Sequence, residues 1–89
     1  MKAIVSVFAK DSKGITAYVT ALLAENEINI LDISQTLMQE YFAMIMLVDV
    51  SSCSMDFTAF AEKMKQKGDE LGVDVRCTRQ EIYDAMHRI

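Results

Sequence analysis

The spacing of apolar and polar positions divides this chain into short segments with two different rhythms. Ala3 to Ala9 (AIVSVFA) is brief, rich in β-branched and aromatic residues, and apolar on both faces, the pattern of a strand with neighbours on either side. A polar stretch with one glycine, Lys10 to Gly14 (KDSKG), interrupts it. From Ile15 the period lengthens, and Ile15, Val19, Leu22 and Leu23 follow the i, i+4, i+7, i+8 spacing of a helix with one buried side. Glu25, Asn26 and Glu27 end that helix. Asn29 to Met38 (NILDISQTLM) then alternates, with Leu31, Ile33 and Leu37 two or four residues apart, which predicts a second strand.

Only Gln39 and Glu40 separate this strand from Tyr41 to Val50 (YFAMIMLVDV). The gap fits a tight hairpin, although neither residue favours positive φ as Asn-Gly does. Ser54 and Asp56 are both competent to cap a second helix, whose apolar stripe is Phe57, Phe60, Ala61, Met64 and Leu71. Gly68 weakens its last turns, and Gly72 is placed to close it in the left-handed conformation. Val73, Val75 and Cys77 alternate with Asp74, Arg76 and Thr78, a half-exposed strand. Thr78 to Glu81 (TRQE) has the pattern of a capping box, predicting a short final helix with Ile82, Tyr83, Met86 and Ile89 on one side.

The order is β-α-β-β-α-β plus a terminal helix, an α+β chain of the ferredoxin-like kind. Right-handed crossovers then give a four-stranded antiparallel sheet ordered 4-1-3-2, with both helices on one face. Residues 1–89 make one small domain, and a domain this short gains stability by oligomerising. The third strand strengthens that expectation. Phe42, Met44, Met46 and Val48 lie on one side, and Ala43, Ile45 and Leu47 on the other. Two helices cover a single face, so the terminal helix or a second subunit must cover the rest.

Charge and chemistry narrow the function. Thirteen acidic residues outweigh nine basic ones, the net charge is −4, and no run of Lys or Arg gathers positive charge. That disfavours non-specific binding to nucleic acid or to an anionic membrane, and no apolar run approaches the roughly 20 residues that span a bilayer. Cys53 and Cys77 form no CxxC, and the chain opens on a strand pattern without a leader. Reduced thiols packed as small hydrophobes in a cytoplasmic protein are expected. His87 stands alone, which suits a solvated or capping side chain. Asp11 and Lys13 have no nucleophile or orienting third group beside them. No cofactor, metal site or catalysis is expected.

Rival uses of this fold fail on their own residues. A ferredoxin-like copper chaperone needs a CxxC in the first loop, which reads KDSKG. An acylphosphatase needs an arginine cradle there, but the arginines are Arg76, Arg79 and Arg88. An RNA-recognition motif needs stacking aromatics with a basic flank; Phe8, Tyr41 and Phe42 are present, the flank is not.

The turn DSKGI (Asp11 to Ile15), the helix after it, and EINI (Glu27 to Ile30), with fifteen residues from Gly14 to Asn29, resemble the ACT domain. There the pattern is strand, D-x-x-G-I, helix, then G-I-N-I opening the second strand. The match covers essentially the whole chain. It looks closest to small stand-alone ACT proteins, and is similar to the ACT domains of the glycine-cleavage repressor and of formyltetrahydrofolate deformylase. Lys13 stands where many members have proline, Glu27 where the motif has glycine, and Ala9 where serine-sensing members carry an imidazole. The resemblance implies a regulatory module for a small molecule, most often an amino acid, working as a dimer or larger assembly on a regulated protein target. Its ligand loop is Asp11, Ser12, Lys13, Gly14 and Ile15, with Asn29 as the polar contact on the second strand.

The physics of that loop admits two readings. A helix N-terminus presents unpaired N–H groups and the positive end of the dipole, which suits a carboxylate. Gly14 lets the backbone approach closely, and Asp11 is placed to pair with a ligand ammonium. Alternatively Gly14 only makes a turn, Ser12 caps the helix, Asn29 bonds the helix-to-strand turn, and nothing binds. The fold adds a constraint. Strands one and two run parallel, so the Asp11 turn and Asn29 lie about 25 Å apart, eight residues at ~3.3 Å each. They share a ligand only if Asn29 comes from another subunit, and a symmetric dimer supplies that contact twice. The alternative from a different class is a protein-interaction module whose apolar sheet face docks a partner without a ligand.

Overall fold

The computed structural model describes residues 1–10 and 13–81 of the chain. Its elements are β1 (Lys2–Ala9), α1 (Ile15–Glu25), β2 (Asn29–Met38), β3 (Tyr41–Asp49), α2 (Phe57–Leu71) and β4 (Asp74–Arg79). The sheet runs β2-β3-β1-β4 with every neighbouring pair antiparallel, the 4-1-3-2 order expected of a ferredoxin-like chain.

Register explains the core. Val5 lies opposite Met46 and Cys77, and Val7 opposite Met44 and Val75, so one face of the central strands is a continuous apolar layer. Leu23 of α1 and Phe60 and Met64 of α2 are fully buried in the same cluster, which puts both helices on that face. Burial of this kind contributes about 25 cal/mol per Å² of apolar surface and is what holds a chain this short together.

Local chemistry sets the helix ends. The Asp56 carboxylate accepts a 2.7 Å hydrogen bond from the Ala59 N–H, so Asp56 rather than Ser54 is the cap of α2. Gly72 ends α2 at φ +73, and the Val73 N–H returns to the Gly68 carbonyl at 2.8 Å. Gly68 is no mere weakness in the helix. A Cβ there would stand 2.7 Å from the Val73 carbonyl oxygen and 2.8 Å from Val75 Cγ2, so its absence lets α2 lie directly on β4. The apolar stripe expected of α2 includes Leu71, but the helix turns that residue outward and it is half exposed.

One further expectation is corrected. Thr78 does not open a capping box: it pairs with Ile4, and Arg79 with Ala3, inside β4. The ladder with β1 satisfies the backbone there, and the chain becomes helical only at Gln80 and Glu81. The terminal helix expected over Ile82 to Ile89, with His87, lies outside the described residues. The alternating Leu31, Ile33 and Leu37 form the expected second strand and stay outside the core. β2 is an edge strand, and all three are at least 39% exposed.

β3 alternates as expected. Phe42, Met44, Met46 and Val48 are buried, while Ile45 on the opposite face is exposed and Ala43 and Leu47 are half-buried. Phe8 of β1 shares that second face and is also exposed.

Candidate functional site

The loop after β1 delivers α1 at Gly14. Gly14 takes φ +76, ψ −7 and occupies the N-cap position with no side-chain hydrogen bond. Its carbonyl accepts the first helical bond, from the Tyr18 N–H at 3.0 Å. The cap position falls on glycine, and the first turn of α1 holds no acidic residue. Positive φ is the conformation that glycine adopts without a Cβ penalty, so the turn itself accounts for Gly14. A Cβ there would meet nothing within 4 Å; the space above the first turn is open. Lys13 is exposed and Ile15 half-buried. Asp11 and Ser12 lie outside the described residues.

Asn29 is the exposed first residue of β2 and pairs with Asp49, which in turn faces Lys2. Ala9, where the loop begins, faces Phe42, and Phe42 faces Leu37. The loop therefore sits at the Leu37 end of β2 and Asn29 at the other. Within one chain Gly14 and Asn29 do not meet.

Other polar groups hold these ends in place. The helix-to-strand turn is closed by Asn26 and not by Asn29. Its buried side chain donates to the Leu22 carbonyl at 2.7 Å and accepts from Lys63 Nζ at 3.2 Å. Glu27, where the ACT pattern carries glycine, takes φ +59, which gives the motif's glycine a physical reason. Beside Asn29, the Ser51 hydroxyl donates to the Asp49 carboxylate at 2.6 Å and the Ser51 N–H at 2.9 Å. These bonds hold the Asp49 carboxyl below its ordinary range. Cys53 and Cys77 are free thiols, and burial pushes Cys77 up to about 12.

Two clefts flank the loop. One, of about 310 Å³, is lined by Thr16 at the start of α1, by Gln35, Thr36 and Leu37 of β2, and by Phe42. The other, of about 290 Å³, is lined by Ala9, Lys10, Lys13, Ile15, Leu71, Gly72 and Val73. Thr16 and Gln35 gave no signal in the sequence, where one reads as helix interior and the other as a polar strand position. Among the described residues no group of three His, Cys, Asp or Glu gathers to hold a metal, and no helix is long and apolar enough to cross a membrane.

The βαββαβ order with a sheet running β2-β3-β1-β4 is the ferredoxin-like architecture. The chain belongs to the ACT domain family, whose sequence profile matches residues 2–78. It is 48% identical over 88 residues to a UPF0237 protein of Methanocaldococcus jannaschii, covering 99% of this chain and 98% of that one. Among solved structures it is similar to an ACT domain protein from Streptococcus pneumoniae, with TM-score 0.84, 40% identity and 98% coverage of both chains. A formyltetrahydrofolate deformylase from Pseudomonas syringae pv. tomato shares the fold at TM-score 0.78 and 23% identity, over 88% of this chain and 27% of that one. ACT domains are typically ligand-binding regulatory modules.

Proposed function

We propose that this chain is a cytoplasmic, non-catalytic ACT module that binds an amino acid at the interface of a homodimer and passes its occupancy to a regulated protein. One observation carries the reading: among the described residues β2 is a sheet edge with no further strand beside it, beginning at Asn29 and ending on the side of the sheet where the Gly14 turn follows Ala9. A bare edge with exposed Leu31, Ile33 and Leu37 invites pairing with another strand. Antiparallel pairing of β2 with its own copy about a two-fold axis near Ile33 brings Asn29 of the partner subunit beside Leu37. That places it beside the Gly14 turn, and the symmetry makes two equivalent sites.

Each site then has a division of labour. The Gly14 to Thr16 end of α1 offers amides and the positive helix pole to the carboxylate. Asp11 takes the ammonium, Ser12 and Lys13 border the anion, Ile15 supplies an apolar wall, and Asn29 of the partner subunit closes the pocket. Binding and assembly are coupled because neither chain holds the ligand alone. The test is thermal unfolding against the common amino acids at millimolar concentration. A ligand at 100 times its Kd adds about 2.7 kcal/mol, which raises the midpoint of so small a domain by roughly 10 °C or more. One or a few amino acids should produce that shift, and a flat response across the set contradicts the proposal.

A second reading has its own observation. Phe8 and Ile45 are 49% and 40% exposed on the sheet face away from the helices, a place where a protein partner would dock. Capture of such a partner by a chain that binds no amino acid would favour it.

A further inference from the structure

We infer that the cleft between α1 and the far half of β2 takes the ligand's side chain, and that Thr16 and Gln35 select one that is small, polar and uncharged. This rests on the amino-acid reading of the site and extends it from the ligand's carboxylate to its side chain.

The cleft exists because α1 stops short of the sheet edge. Gln35 lies opposite Met44 and Leu37 opposite Phe42, so both project from the helix-bearing face. Met44 and Phe42 are buried there, whereas Leu37 is 66% exposed and Gln35 is exposed as well. The strip of β2 beyond the helix is left as a trough. Phe42 closes its floor, Leu37 walls its outer end, and Thr16 overhangs it from the second position of α1. At about 310 Å³ it sits at the small end of the range for ligand sites, roughly 300–1,000 Å³.

Its chemistry is specific. Among the described residues the lining contains no ionisable group: Thr16 brings a hydroxyl, Gln35 an amide, and Leu37 and Phe42 apolar surface, while Thr36, opposite Ala43, turns its side chain to the other face of the sheet. A hydroxyl and a carboxamide each both donate and accept, so they match a ligand side chain with the same dual character, a hydroxyl or an amide. A charged side chain finds no counter-charge among the described lining residues, whereas a hydroxyl or an amide finds hydrogen-bond partners in Thr16 and Gln35. Since Thr16 is in the first turn of α1, a ligand held there by its carboxylate has this cleft as its next neighbour.

The experiment is calorimetric titration of the intact protein with L-serine, L-asparagine, glycine, L-aspartate and L-lysine, for wild type, Gln35→Leu and Gln35→Glu. Serine or asparagine should bind more tightly than aspartate and lysine. Gln35→Leu should weaken the polar ligand by about five- to tenfold, the loss of one hydrogen bond, and leave glycine unchanged, since glycine has no side chain to place. Gln35→Glu, nearly isosteric, should move the preference towards lysine. Gln35 is exposed, so both variants should melt as wild type does without ligand. If amino acids bind but Gln35→Leu alters none of them, or alters glycine equally, the inference is overturned while the amino-acid reading stands. If none of the five binds wild type, the inference is overturned, and the amino-acid reading is decided separately by the thermal response to the full amino-acid set.

Discussion

Ala9 and Asn29 mark opposite ends of the same sheet: Ala9 lies across from Phe42 and through it Leu37, whereas Asn29 lies across from Asp49 and through it Lys2. The glycine turn comes directly after Ala9. An ACT-type site that needs both the turn and Asn29 is therefore split within one chain, and the proposed two-fold partner along β2 would rejoin it.

Loss of the edge should then remove both assembly and binding. A lysine near the middle of β2 keeps an edge strand from pairing, and Ile33 is partly exposed there, so its substitution leaves the core intact. Ile33→Lys is expected to run as a monomer by light scattering coupled to size exclusion, and to show no thermal shift with any amino acid. A variant that is monomeric and still shifts would separate binding from assembly.

Gly14 separates backbone strain from ligand exclusion. At φ +76 with open space around it, Gly14→Asn is well tolerated because Asn visits the left-handed region, whereas Gly14→Val costs about 1–2 kcal/mol in backbone conformation. Urea unfolding should rank them so. Both side chains enter the space above the first turn of α1, and both are expected to abolish ligand stabilisation. Unchanged ligand response in Gly14→Asn would return this residue to a purely structural role.

Gly68 presents two opposed effects. Alanine should gain up to about 1 kcal/mol in helix propensity. Its Cβ, however, would press within 2.7 Å of the Val73 carbonyl and 2.8 Å of Val75, and such overpacking costs about 1–3 kcal/mol. The clash should win. Gly68→Ala is expected to be less stable by roughly 1–2 kcal/mol in urea unfolding, and a variant more stable than wild type would mean that α2 slides away at little expense.

Cys77 gives stability a pH dependence of known sign. Its thiol ordinarily titrates near 9.0, and burial raises it to about 12 in the folded chain. Between those values the unfolded chain has released the proton and the folded one keeps it, so stability is full below about pH 9 and falls as pH rises towards 12. Urea midpoints measured from pH 8 upwards should decline more steeply for wild type than for Cys77→Ala. Parallel curves would show that the thiol ionises in the fold at little penalty.

Much of this was legible in the sequence because the fold depends on period and punctuation. The switch from the period of AIVSVFA to the helical stripe of Ile15, Val19, Leu22 and Leu23 fixes β1 and α1, and the two-residue gap at Gln39 and Glu40 fixes the hairpin. Gln39 takes φ +54 without being a residue that favours it, since the paired strands impose the turn. What was not legible depends on neighbours distant in sequence. Alternation in β2 says that Leu31, Ile33 and Leu37 share a rhythm, not that α1 stops short of them. Gly68 reads as a helix breaker until β4 is laid against it. Thr78 has a capping pattern, but pairing with Ile4 claims it for the sheet. For the candidate site, the motif singles out Gly14, Ile15 and Asn29 as candidates, while Thr16 and Gln35 become neighbours only when the start of α1 comes beside β2.

The central claim is that each pocket takes its turn from one chain and its asparagine from the other, and a purified mixed dimer of Gly14→Asn and Asn29→Ala tests it most directly. Both homodimers should bind weakly or not at all. In the mixed dimer one pocket collects both defects and the other is intact, so calorimetry should find one wild-type site per dimer. A mixed dimer with no wild-type site would place the turn and Asn29 in separate functions and contradict the account.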